Sequence, residues 1–297
     1  MFDIFKYDIE IDPIHTSKFV HVYKGTCYVK DKCFDIVLKA YHPQSNFVMY
    51  KEYKKNIFKK PNCEYVLNII ELIRVRKDDD LYKFLEYNFN HSADVFYCII
   101  TLYVDGISIK DLIDSQDFAS KDMIDMYVNQ IYTAIKCLHQ NKIIHRNIKP
   151  GNVIYNNNDG FRLTDFTSSC YKECNYNYNP FYIPWYLVNQ IKHYGNNIPF
   201  DVMKRVDYFA FGVTLYQMVN KKYPFYIEKF PSTDDIINYY PQHIKSKSEF
   251  SEVNILLDKI LSGDNMNMDK LIEEYNRTEE DTNDYGRRRY RNICLHC

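Results

Sequence analysis

The stretch HRNIKPGNV, residues 145–153, decides how the rest of the chain is interpreted. Two basic side chains, Arg146 and Lys149, stand on either side of Asn147, and a second asparagine, Asn152, follows. A side-chain amide cannot accept a proton at neutral pH, so Asn147 cannot serve as a general base. The stretch therefore raises the question whether the chain is an enzyme, a damaged enzyme or a fold kept for another purpose.

Helical and strand patterns surround this stretch. Upstream, residues 120–142 begin with a serine and carry one long apolar stripe, which predicts a helix. Downstream, VIYNNNDGFRLTDF (153–166) predicts a strand, an Asn/Asp/Gly turn and a second strand. Residues 204–219 and 252–261 predict two further helices. This part of the chain is therefore expected to be mostly helical.

The first hundred residues predict a small β-rich part with one helix. Residues 19–29 and 33–41 are rich in β-branched and aromatic side chains, with a short polar connection between them. VMYKEYKKNIFKK (48–60) has helical spacing and stops before Pro-Asn. Two more apolar runs, 65–75 and 95–104, predict strands around the acidic turn KDDD.

The composition argues against several classes of protein. A net charge of −1 over 297 residues favours neither nucleic acid nor an anionic membrane as a partner. The longest apolar run, VFYCIITLYV, is too short to span a bilayer, and the start of the chain shows no signal-peptide pattern. Nine scattered cysteines favour reduced thiols over a disulfide framework. We therefore expect a cytoplasmic protein with no membrane and no nucleic-acid partner.

Five short motifs, in this order and at these spacings, resemble those of the eukaryotic protein kinase superfamily over about residues 10–265. They are DIVLK, IITLYVDG, HRNIKPGNV, LTDFT and VDYFAFG. A lysine two places after the catalytic position resembles serine/threonine kinases. The resemblance implies an α+β, bilobal kinase-like fold. It comprises a β-rich N-lobe with one αC helix (1–102), a mostly helical C-lobe (103–276) and a polar tail (277–297).

The resemblance implies roles for the charged residues of these motifs. Lys39 would hold the α- and β-phosphates of ATP and would pair with Glu52 on the predicted αC helix. Lys149 would neutralise charge on the transferred phosphoryl group. Asn152 and Asp165 would ligate magnesium through oxygen atoms.

Further residues follow from the same resemblance. Val22 would line the nucleotide pocket, Thr101 would be the gatekeeper, and backbone groups of Leu102 and Val104 would meet the adenine edge. Asp207 would hydrogen-bond the backbone of the loop at 145–153, which is a structural role.

Two catalytic features of the family are missing. Asn147 stands where the family has the aspartate that accepts the proton of the substrate hydroxyl, and losing a general base costs about 10²–10⁴-fold in rate. The glycine-rich loop is also absent, because alignment puts His15, Ser17 and Val20 at the three glycine positions. Glycines there let backbone N–H groups approach phosphate without a Cβ in the way.

Two smaller departures lie nearby. Thr167 replaces the glycine after Asp-Phe, which changes the backbone freedom of the predicted magnesium loop. Tyr186 or its neighbour takes the place of the family's glutamate, so the usual ion pair with a later arginine has no evident acid.

These features lead to two main hypotheses. The first is a pseudokinase that binds or regulates a protein partner and holds ATP and magnesium weakly. The alternative is a slow serine/threonine kinase that transfers the γ-phosphate of ATP to a hydroxyl of a protein substrate. A third hypothesis, nucleic-acid binding through RRRYR (287–291), is disfavoured by the neutral net charge.

Overall fold

The computed structural model has a β-rich lobe followed by a mostly helical lobe, which confirms the predicted α+β, bilobal fold class. It describes residues 6–29, 32–45, 63–67, 69–115, 119–172, 174, 179–195, 198–225, 245–263 and 267–278. The predicted helix over 48–60, with Glu52, lies outside the described residues. So does the tail from residue 279 onward, with the RRRYR cluster.

Five antiparallel strands form the sheet of the first lobe, in the order β1-β2-β3-β5-β4. The four strands predicted from the sequence are confirmed with small shifts at their ends. The bounds are β1 Lys6–Thr16, β2 Val20–Val29, β3 Lys32–Tyr41, β4 Ile69–Arg76 and β5 Val95–Leu102.

The strand β3 divides its side chains between two cores. Side chains alternate along a strand, so Leu38 faces an outer core while Lys39 faces the second lobe. The register places Val22 of β2 and Ile99 of β5 opposite Lys39, on the same face. Ile99 and Tyr41 belong to the core that both lobes share, which fixes the direction of this face.

A helix that the sequence analysis did not predict covers the outer face of the sheet. This helix, α1 (Asp80–Phe89), connects β4 to β5, where KDDD had predicted only a turn. Tyr82 and Leu85 are buried one helical turn apart, and Leu85 is fully buried in the outer core. Asn90 ends the helix in the left-handed conformation, at φ 47°. Leu81, Phe84 and Phe89 pack against the same core, so the segment has helical apolar spacing that the sequence analysis did not use.

The second lobe is built around two long helices, both predicted. The helix α3 (Lys121–Gln140) begins after Ser120, whose hydroxyl accepts the N–H of Met123 at 3.3 Å. The second, α5 (Phe200–Asn220), packs on α3. The remaining helices are α2 (Ile109–Asp114), α4 (Val188–Tyr194), α6 (Ser251–Ser262) and α7 (268–278). The short strands are β6 (Ile107–Ser108), β7 (Ile143–Ile144), β8 (Val153–Asn156), β9 (Gly160–Leu163) and β10 (Cys170–Tyr171).

None of the helices in the described part of the chain could cross a membrane.

Residues 63–67 join the two lobes. The carbonyl of Tyr65 accepts the N–H of Leu163 at 2.8 Å, and the N–H of Leu67 donates to the carbonyl of Leu163 at 2.9 Å. A disulfide links Cys63 to Cys137 on α3, with 5.8 Å between their Cα atoms. The first lobe is therefore attached to the second by backbone pairing with β9 and by a covalent bond.

The disulfides correct the expectation that the thiols are reduced. Besides the pair at Cys63, a second disulfide joins Cys170, the first residue of β10, to Cys174. Cys63 and Cys137 are 74 residues apart, so only the tertiary structure brings them together. Among the described cysteines, Cys27, Cys33 and Cys98 are free.

Candidate active site

The loop at 145–153 lies between β7 and β8 and is fixed by Asp207 of α5. The carboxylate of Asp207 is fully buried. It accepts the backbone N–H groups of His145 and Arg146, each at 2.8 Å, and the Nε2–H of His139, also at 2.8 Å. These contacts are the structural role predicted for Asp207. They tie the position of the loop to the packing of α5 in the core.

His145 connects this loop to the segment that carries Asp165. Its Nε2 donates to the carbonyl of Thr164 at 3.0 Å, and its ring makes an edge contact with Phe166, 4.7 Å between centroids. Its Nδ1 accepts the N–H of Asn147 at 3.2 Å. Burial lowers the pKa of His145 below its ordinary value, against the pull of nearby carboxylates. The imidazole is therefore neutral at pH 7, with its proton on Nε2.

Arg146 reaches the segment after Asp165. Its backbone is left-handed, at φ 63°, and its Nε donates to the carbonyl of Ser168. Asp165 is left-handed as well, at φ 64°. Residues other than glycine are rarely found in this conformation, and such residues cluster at functional sites.

The carboxylate of Asp165 is held by three groups of the chain itself. Lys39 Nζ lies 3.7 Å from Oδ1, and the hydroxyl of Thr167 donates to Oδ1 at 2.9 Å. The amide Nδ2 of Asn147 donates to Oδ2 at 3.1 Å. Burial raises the pKa of Asp165, but the Lys39 ammonium, the Thr167 hydroxyl and more distant cations outweigh it, so the net pKa is lowered. Asp165 is therefore ionised and can only accept hydrogen bonds.

The structure brings most of the predicted site residues together. Lys39, Asn147 and Asp165 are in contact, and Lys149 is close enough to lower the pKa of Asp165. The Nδ2 of Asn152 donates to the carbonyl of Asn147 at 2.8 Å. Glu52, the predicted partner of Lys39, lies outside the described residues, and Lys39 pairs here with Asp165.

The predicted nucleotide-pocket residues lie along the same face and its edge. Val22 stands opposite Lys39 in the sheet, and Thr101 stands opposite Val37. Leu102 ends β5 and Val104 follows two residues later. The roles assigned to these residues stay predictions.

Asn152 and Asp165 are the predicted magnesium ligands. Whether they fit a magnesium ion depends on which of their oxygen atoms are available to it. A divalent cation needs free lone pairs on carboxylate or amide oxygens. Each oxygen of Asp165 accepts one hydrogen bond from the chain and keeps further lone pairs, but on the side of Asn147 the Nδ2–H group already occupies the approach to Oδ2. The N–H group of Asn147 therefore does not fit a cation that contacts Asp165 from the same side.

The tip of the β1–β2 hairpin occupies the place predicted for the glycine-rich loop. The register pairs Thr16 with His21, and residues 17–19 form the turn between the end of β1 and the start of β2. The hydroxyl of Ser17 accepts the N–H groups of Phe19 at 3.4 Å and Val20 at 3.1 Å, and the N–H of Ser17 donates to the carbonyl of Val20 at 2.9 Å. These three N–H groups are therefore used within the turn.

Arg205 of α5 makes an aromatic contact with Tyr186, which stands where the family has a glutamate. Its guanidinium lies over the ring of Tyr186, 4.9 Å from the centroid. In the sequence, Tyr186 or its neighbour takes the place of the glutamate, so a later arginine has no evident acid to pair with. The contact between Arg205 and Tyr186 is a cation–π interaction, which needs no carboxylate.

Sequence reasoning missed the contacts made by Ser17, Thr167 and Arg205. Ser17 and Thr167 were read only as lost glycines, although a hydroxyl next to a turn or a carboxylate is a ready local hydrogen-bonding group. Arg205 has no local signal, because its contact with Tyr186 depends on how α5 packs.

A model of the protein kinase domain matches residues 34–274, which is more than half of the chain. A protein named "Putative serine/threonine-protein kinase R436" from Acanthamoeba polyphaga mimivirus is 27% identical over 237 residues, covering 72% of this chain and 79% of that protein. The mitogen-activated protein kinase kinase kinase dlk-1 of Caenorhabditis elegans is 27% identical over 132 residues, which is 43% of this chain and 14% of its own length.

A human protein shows a similar level of sequence identity. The serine/threonine-protein kinase MRCK beta of Homo sapiens is 28% identical over 175 residues, 56% of this chain and 10% of that protein. The chain thus spans only a small part of the two animal proteins. Protein kinase domains generally use ATP and magnesium and act on protein substrates. With the domain matched over residues 34–274, the chain belongs to the eukaryotic protein kinase superfamily.

Proposed function

We propose that the chain is a pseudokinase, a protein of kinase fold that acts by binding or regulating a protein partner. One observation carries the proposal. At the position of the catalytic base stands the amide of Asn147, which donates to Asp165 at 3.1 Å and has no basic group that could take up a substrate proton at neutral pH. Phosphate transfer is thereby lost or strongly reduced.

The hairpin tip supports the same proposal. In a glycine-rich loop, backbone N–H groups approach the phosphates of ATP. Here the N–H groups of Ser17, Phe19 and Val20 are used inside the turn. These hydrogen bonds would have to break before the loop could bind phosphate. The loop therefore binds ATP only weakly.

A slow serine/threonine kinase is the second candidate. Lys39 lies 3.7 Å from Asp165, and the loop at 145–153 is held by Asp207. Phosphoryl transfer depends largely on positioning and on charge, so a site that keeps both can retain some activity. The resemblance to proteins named serine/threonine kinases also favours this candidate.

The remaining features of the proposal follow from the sequence. The neutral net charge supports a protein partner rather than nucleic acid. The cytoplasm is the compartment proposed from the sequence, although the two disulfides are bonds that a reducing compartment disfavours. We place the partner surface on the predicted αC helix or on the helical lobe.

Transfer of labelled phosphate from ATP tests the proposal. Purified wild type and Lys39→Met are incubated with a general protein substrate, with magnesium and with manganese. The pseudokinase proposal predicts equal background labelling by both proteins. Labelling by wild type that Lys39→Met abolishes would favour the slow kinase, and Asn147→Asp should then raise it.

A further inference from the structure

The three donors around Asp165 come from three separate parts of the chain. Lys39 is on β3, Thr167 follows Phe166, and Asn147 belongs to the loop fixed by Asp207. Together they hydrogen-bond or pair with both carboxylate oxygens. In a kinase this carboxylate holds a divalent cation between the phosphates.

The orientation of the Asn147 amide follows from chemistry. An ionised carboxylate only accepts, so the NH₂ group rather than the oxygen must face Asp165. The backbone of Asn147 is fixed on both sides. Its N–H donates to His145 Nδ1 at 3.2 Å and its carbonyl accepts from Asn152 Nδ2 at 2.8 Å. The backbone position of Asn147 is therefore fixed, and its side chain reaches Asp165 from that position.

An aspartate at position 147 would change this arrangement completely. Two carboxylates would then stand within about 3 Å of each other, which like charges tolerate only with a proton or a cation between them. With asparagine, the described charged side chains that act on Asp165 include two lysines, Lys39 and Lys149. These two ammonium groups can attract a phosphate that arrives without a cation.

We propose that the amide of Asn147 takes the place of a divalent cation beside Asp165, so that the cleft binds nucleotide phosphates without magnesium. This proposal rests on the proposed function, which allows weak binding of a nucleotide but does not require it. It differs from that function in naming the ligand as a metal-free nucleotide and Asn147 as the residue responsible.

Binding of a fluorescent ATP analogue tests the proposal on the full chain, in EDTA and in millimolar magnesium. The variant is Asn147→Asp. Asn158→Asp is the matched control, because it makes the same charge change in the exposed turn between β8 and β9. We expect the dissociation constants of wild type and of the control to change by less than about threefold on adding magnesium. That of Asn147→Asp should tighten by about tenfold or more.

A second measurement uses magnesium alone, without nucleotide. Magnesium should raise the melting temperature of Asn147→Asp and leave that of wild type unchanged. If magnesium tightens nucleotide binding by wild type as much as by Asn147→Asp, the proposal is overturned. Failure of wild type to bind the analogue in either buffer also overturns it. That failure leaves the pseudokinase proposal intact, since the phosphate-transfer assay tests it separately.

Discussion

At the scale of single residues, the cleft is governed by which atoms donate and which accept. Asp165 accepts from Thr167 and from Asn147. Replacing one oxygen of an aspartate by the NH₂ group of an asparagine gives residue 147 a donor that aspartate lacks and removes its basicity, while the remaining oxygen can still accept a hydrogen bond. This change lets residue 147 donate to the neighbouring carboxylate of Asp165.

His145 is expected to make the stability of the fold depend on pH. The pKa of His145 is lowered in the folded state, so as pH falls below about 6.5 the unfolded chain takes up a proton first. The stability contributed by neutral His145 is fully present above that pH and is lost as pH falls toward the folded-state pKa. We therefore expect the free energy of unfolding, measured with urea, to decrease between about pH 7 and about pH 5.

A variant separates this effect from that of other histidines. The pKa values of His21 and His42 are also lowered by burial, and these residues act in the same direction. In His145→Gln the decrease with falling pH should be smaller than in wild type. Parallel curves for the two proteins would show that His145 does not contribute.

At the scale of elements, α1 is the least expected feature of the fold. It inserts Leu85, which is fully buried, into the outer core of the first lobe, while Tyr87 on the same helix is 85% exposed. The helix therefore contributes to stability through one face only.

Two substitutions on α1 test this account. Leu85→Ala should lower the free energy of unfolding by about 2–4 kcal/mol, because it removes buried methyl groups and leaves a cavity. Tyr87→Ala should change it by less than about 0.5 kcal/mol. Urea unfolding of both variants is the measurement, and equal effects would mean that α1 does not pack as described.

The sequence predicted the elements whose patterns are long and regular. The strands β2, β3 and β5 and the helices α3 and α5 each carry an extended apolar pattern, and all were predicted. The helix α1 was missed although its apolar residues recur at helical spacing, because its ten residues adjoin the acidic run KDDD, which predicted only a turn.

The candidate active site was predicted less completely than the fold. The motifs gave the positions of Lys39, Asn147 and Asp165, but not the hydrogen bond from Asn147 to Asp165. That contact depends on how β9 and the loop at 145–153 are brought together by tertiary packing. No local pattern encodes it.

At the scale of the whole molecule, the disulfide Cys63–Cys137 links the two lobes and spans 74 residues of sequence. In the chain-entropy account, a loop of this length stabilises the folded state by about 4 kcal/mol. A reductant should therefore lower the free energy of unfolding of wild type by an amount of this order.

Matched cysteine variants identify which bond is responsible. Cys137→Ser should unfold at lower urea concentration than wild type and should respond much less to the reductant, since the second disulfide closes only a short loop. Cys33→Ser, which removes an exposed free cysteine, should behave as wild type. An unchanged unfolding curve for Cys137→Ser would show that this disulfide does not stabilise the protein.

The whole fold is that of a kinase, and the central claim is that this particular cleft does not transfer phosphate. The most direct test is the labelling of a protein substrate from ATP by wild type, compared with Lys39→Met, in magnesium and in manganese. The account predicts that the two proteins give the same background in both metals. Labelling by wild type that disappears in Lys39→Met would contradict it and would make the chain an active kinase.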